Sequence, residues 1–148
     1  MKVVDMNKLF FLPVLLLVGL AGCNDKRTSA QQTFDKDVLA LSAAVWAKGD
    51  MTRKSADAAN VAEQKLSAYK GQKLEKWSCT KTGMSCTTSD KKLSYNINLY
   101  PDKFISISAY EGDTITFTGE VKRIDTGIGS ATVWVTVNAE ADVAVAKK

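Results

Sequence analysis

The sequence predicts a mainly β chain of the α+β class: one or two N-terminal helices, then a small five-stranded β-barrel. Three observations predict it. Between Phe34 and Tyr69, apolar residues return every three or four positions, the period of a helix with one buried face. From Gln72 the period drops to two, that of a strand with one face toward a core. Gly119 interrupts the alternating run Ile115, Phe117, Val121, where a bulge or bend would help a short sheet close on itself. With 148 residues, 45% of them hydrophobic, the chain suits one domain.

Residues 1–22 stand apart. Lys8 precedes an apolar run from Leu9 to Leu20, broken only by Pro13 and Gly19. The run falls short of the ~20 residues a membrane-spanning helix needs, and it has the three-part layout of a secretory signal. Its last residues, Leu20-Ala21-Gly22-Cys23, resemble the lipobox of bacterial lipoproteins. That resemblance implies cleavage before Cys23, diacylglycerol on the cysteine sulfur and an acyl chain such as palmitate on its nitrogen. Each buried CH₂ adds about 0.8 kcal/mol, so two or three chains hold a protein on a bilayer. The alternative is an ordinary secretory signal with an incidental cysteine. The implied address is the periplasmic or outer face of a bacterial membrane. Asn24, rather than aspartate, follows the cysteine, which favours the outer membrane over the inner.

Without residues 1–22, which take Lys2, Lys8 and Asp5 with them, the formal charge is +3. So small a charge does not mark a nucleic-acid binder.

Residues 23–33 are polar, without an apolar period, and read as a lipidated cysteine followed by a flexible tether. Thr33 offers an N-cap for a first helix carrying Phe34, Val38, Leu41 and Val45 on one face and ending near Lys48-Gly49. A second helix starts near Ser55, with Ala59, Ala62, Leu66 and Tyr69 on one face and Gly71 as terminator. Residues 34–70 thus form a helical segment, and 71–148 the β-domain. Its expected strands centre on 74–79, 93–99, 105–107, 115–121 and 133–137, with turns at Pro101-Asp102 and Gly112-Asp113 and a hairpin loop over 125–130.

Cys79 and Cys86 form an even pair in an exported chain, where disulfides persist. Free thiols, a redox pair and a metal site are the alternatives. The spacing is not C-x-x-C, and the chain has no histidine to complete a zinc shell. A structural disulfide is the expectation.

The phrases Asn60-Val61-Ala62-Glu63, Tyr69-Lys70-Gly71-Gln72-Lys73-Leu74, Glu111-Gly112-Asp113 through Val121, and Asn138-Ala139 resemble the bacterial OB-fold (tRNA-anti-like) lipoprotein family. The resemblance covers roughly 60–139 and implies that the barrel is OB-like. In place of the family's Thr-Gly-x-Val phrase, this chain has Glu75-Lys76-Trp77-Ser78-Cys79. The first helix also lies outside the match. The family name reflects fold similarity to anticodon-binding domains, and an exported domain is not expected to meet nucleic acid.

Without histidine, the commonest general base and metal ligand are missing. No nucleophile-elbow phrase surrounds any serine. Glu111, Asp113, Glu120 and Asp125 read as solvated surface charge beside turns. No catalysis, cofactor or metal is expected. The candidate binding residues are Trp134, which the two-residue period turns away from Val133 and Val135, together with Trp77 and a basic stripe of Lys73, Lys76, Lys122 and Arg123. The structural alternatives are that Trp134 lies under the helices, that Trp77 covers the disulfide, and that the lysines are scattered. The expected function is binding of an envelope protein or glycan. The alternatives are a surface-exclusion or immunity lipoprotein of a mobile element, and a hydrolase with an unrecognised site.

Overall fold

A computed structural model describes residues 25–47, 53–101 and 103–148. The lipobox, Cys23 and the leader lie outside the described residues. Two helices, α1 (Ser29–Val45) and α2 (Arg53–Ser67), precede β1 (Lys73–Thr82), β2 (Ser85–Thr87), β3 (Leu93–Leu99), β4 (Lys103–Phe104), β5 (Thr114–Gly127), β6 (Ser130–Val137) and β7 (Val143–Ala146). The chain is mainly β, as the change of period predicts. No described helix is long and apolar enough to cross a membrane.

The seven described strands form one sheet in the order β1-β2-β3-β6-β5-β7, with β4 on β3. Because β1 also pairs with β5, the path β1-β2-β3-β6-β5 returns to its start. Within this circuit β3 and β6 run parallel, and the other pairings are antiparallel. One strand, β5, serves three partners. Its first half lies between β1 and β7, and its second half pairs with β6.

Gly119 sits where β5 passes from its ladder with β1 to its ladder with β6. A Cβ there would lie 2.6 Å from the Thr136 carbonyl oxygen and 2.8 Å from Val135 Cγ1, so no side chain fits. Two bulges flank it, one between Leu74 and Trp77 on β1 and one between Val121 and Arg123 on β5. Each increases the local twist and curvature. Inside the circuit, Leu74, Leu93, Phe117, Val121, Val133, Val135 and Val137 are essentially inaccessible to solvent. Phe34 and Val38 of α1 join this core.

Four details differ from expectation. First, α1 begins at Ser29, with Thr28 as N-cap accepting from the Gln31 N–H at 3.2 Å, and Thr33 lies inside the helix. The polar stretch hides this start because Gln31 is itself buried. Second, 105–107 form no strand. Ile105 is buried and Ile107 half-buried, so the alternation reports one-sided burial without ladder pairing. The fifth member of the circuit is instead the short β2. Third, the β5–β6 ladder runs to the Gly127–Ser130 pair, leaving a two-residue turn at Ile128-Gly129 with Gly129 at φ +70°. Fourth, Trp77 is 4% exposed and is not a ligand platform. Its ring meets those of Phe34 at 4.8 Å and Tyr95 at 6.4 Å, both edge-on. The Cys79–Cys86 disulfide is formed, with an S–S distance of 2.00 Å.

Candidate functional site

The register of three adjacent strands assembles a polar face. Directly opposed residues in neighbouring strands share a face, so Asn96 of β3, Trp134 of β6 and Arg123 of β5 form one row. Ser94, Thr132 and Asp125 form the next. Inward-facing Val133 and Val135 flank Trp134 along β6, which sends its half-buried indole outward.

Its partners come from β5. The indole Nε1–H donates to Asp125 Oδ2 at 2.6 Å, and the Arg123 guanidinium lies 4.1 Å from the ring centroid. Asp125 also takes the Arg123 Nε–H at 3.2 Å, so one carboxylate holds both the ring and the cation above it. Arg123 and Asp125 are about half exposed, so their ion pair adds little stability. What it supplies is a fixed ring orientation. Beside this face a groove of about 440 Å³ is lined by Met84, Ser85, Ser94, Asn96, Ile107 and Thr132, among others. Hydroxyls, amides and one oriented indole suit a neutral, hydrogen-bonding ligand with an apolar face.

The expected basic stripe is divided. Lys73 and Lys122, with Lys70, line a separate groove of about 570 Å³ that also carries Glu75, Glu120 and Asp142. Arg123 is turned to Trp134 and Asp125 instead. Lys76 sits in the β1 bulge at φ +53°, with its N–H on Thr118 Oγ1. Mixed charge makes the Lys73 groove a poor polyanion channel.

Among the carboxylates expected on the surface, Asp113 is buried, at 3% exposure. It accepts from the Tyr110 N–H at 2.8 Å, the Lys148 N–H at 3.1 Å and Lys147 Nζ at 3.1 Å. The Tyr110 N–H first, then the other donors, holds its carboxyl below the usual range. Glu111 is tied to the turn between β1 and β2, accepting from the Gly83 N–H at 2.6 Å. Among the described residues, no group of three or more acidic or cysteine side chains is placed to hold a metal.

A buried polar network joins α1 to the sheet. Gln31 donates from Nε2 to the Ser78 carbonyl at 2.7 Å and accepts the Ser78 N–H at 2.8 Å. One turn on, Asp35 accepts from the Tyr95 hydroxyl and from Arg27 at 2.8 Å. Burial raises the Asp35 carboxyl despite these bonds, and burial beside Asp35 raises the Tyr95 hydroxyl too. The cleft that adjoins it beside Arg27 and Ser78 is about 80 Å³. Sequence reasoning places Gln31 in the tether and Asp35 at a helix dipole; their partners lie 47 and 60 residues away. The polar pair Gln31 and Asp35, at helical spacing and interleaved with Phe34 and Val38, is the only local signal of it.

No family model matches the chain, and no curated protein or solved structure matches it either.

Proposed function

We propose that this chain is an exported lipoprotein, anchored through Cys23, whose OB-like barrel is a non-catalytic binding module for a cell-envelope glycan. The observation that carries the binding reading is the row Asn96–Trp134–Arg123, with Asp125 fixing the indole. An aromatic ring among amides and hydroxyls gives a sugar both stacking and hydrogen bonds. The returning path of strand pairings, its parallel β3–β6 step and the bulged β5 with its crowded Gly119 support the OB-like reading. The Leu20–Cys23 phrase supports the address.

Co-sedimentation of the protein with purified, insoluble envelope glycan tests this. Trp134→Ala should lower the bound fraction about tenfold, the loss of roughly 1.4 kcal/mol of stacking, while the melting temperature stays nearly unchanged. Equal retention of wild type and variant would overturn it. Crosslinking of the wild type to one envelope protein, without glycan retention, would replace the glycan by a protein partner.

A further inference from the structure

The chain joins the folded body almost at once after Cys23. Asp25 is bound to Arg27 at 2.7 Å, Arg27 to the buried Asp35 at 2.8 Å, and Lys26 Nζ reaches Thr114 Oγ1 at 3.4 Å. Two peptide steps separate Cys23 from Asp25, at most about 7.6 Å of chain. A lipid on Cys23 therefore brings the bilayer to this face of the domain, not to the far end of a tether over residues 24–33.

The same face is rich in lysine. Lys26 borders a cleft shared with Thr88, Ser89 and Thr114. Lys91 and Lys92 occupy the turn that follows, where the Lys91 N–H bonds the Thr88 carbonyl. On the other side Thr114 pairs with Ala146, which brings up Lys147 and Lys148. All five lysines are exposed. The carboxylates among them are engaged locally: Asp25 and Asp35 by Arg27, Asp90 by the Thr88 hydroxyl, and Asp113 by Lys147 and backbone N–H groups. Lys147 is paired with Asp113, whereas among the described residues the exposed Lys26, Lys91, Lys92 and Lys148 form no ion pair, the Lys26 ammonium resting on the neutral Thr114 hydroxyl.

We infer that this face is a membrane-docking surface that takes anionic phospholipid head groups. It rests on the reading of Cys23 as the lipidated residue. A basic patch next to an acyl anchor is a second attachment signal, each lysine contributing about fivefold at an anionic surface. The lipid alone would let the domain tumble; the lysines would fix which way it faces.

The test uses lipidated protein on vesicles of phosphatidylcholine, and on vesicles in which about a third is phosphatidylglycerol. A membrane-impermeant amine-reactive ester labels the lysines, and mass spectrometry reads each site. Tyr69, just past α2, meets the Phe34 ring at 4.8 Å and bonds Asp37 at the midpoint of α1, and the exposed Lys54, at the opposite end of α2, serves as an internal reference. Lys26, Lys91, Lys92 and Lys148 should react about fivefold more slowly on anionic vesicles, with Lys54 unchanged and 0.5 M salt abolishing the difference. Lys91→Glu with Lys92→Glu should also deprotect Lys26. Equal labelling on both vesicle types overturns the inference. Flotation with neutral vesicles reports the acyl anchor separately. Failure there, with salt-sensitive flotation on anionic vesicles, removes the anchor and keeps the surface; flotation with neither removes both.

Discussion

Along one edge of β1, Thr80, Lys81 and Thr82 pair with β2 across a tight turn, whereas Ser78, two residues upstream, is covered by a side chain from α1. The first closure is local: the two cysteines are seven residues apart and covalently joined. In the second, the Gln31 carboxamide offers one donor and one acceptor with the spacing of a peptide group. It takes the place of the strand residue that β2 is too short to provide. Both closures satisfy backbone groups that would otherwise be buried without partners. They differ in the cost of losing them. Cutting the disulfide frees a short loop in the unfolded chain, while removing Gln31 strands two polar groups in the folded one.

That difference can be broken by mutation. Gln31→Ala leaves the buried Ser78 N–H and C=O unpaired at about 1–3 kcal/mol each, so a loss near 4 kcal/mol is expected in urea denaturation. A loss below about 1 kcal/mol would mean that water enters and replaces the carboxamide. Cys79→Ser should cost less, roughly 2.5 kcal/mol for a loop of about eight residues. A larger loss for Cys79→Ser than for Gln31→Ala would reverse the ranking of the two closures.

The local closure was legible from the residues and the distant one was not. Cys79, Gly83 and Cys86 mark their hairpin within eight positions. Nothing near Gln31 identifies Ser78, so a polar stretch with no apolar period reads as tether. Alternation located β3, β5 and β6 because one-sided burial imposes a period of two. The same rule misled at Ile105 and Ile107, which cover the core without a ladder. At the candidate site, the outward turn of Trp134 follows from Val133 and Val135. Its partners do not: without the bulge after Val121, register would set Lys122 opposite Trp134. The bulge advances β5 by one residue and sets Arg123 there instead.

The two closures also differ in what titrates beside them, which gives the smallest and most specific prediction. Asp35 belongs to the α1 side, one turn after Gln31. Asp113 belongs to the hairpin side, its carbonyl accepting the Lys81 N–H at 2.9 Å. Both carboxylates are nearly inaccessible and each faces one cation, yet they shift in opposite directions. Desolvation dominates at Asp35, whereas backbone N–H groups dominate at Asp113. Since Asp35 is raised on folding, its contribution is most favourable at low pH. It erodes as pH climbs from the ordinary carboxylate value, about 3.9, through the folded one. Asp113 is lowered, so its contribution is present above about 3.9 and is lost as pH falls through the folded value. Stability measured by denaturant at a series of pH values, wild type minus Asp35→Asn, should therefore fall on the alkaline side of pH 4. Wild type minus Asp113→Asn should rise toward pH 4 from the acid side and then level off. Two parallel difference curves would show that the packed helix junction and the hydrogen-bonded turn treat a buried carboxylate alike, contrary to the donors each provides.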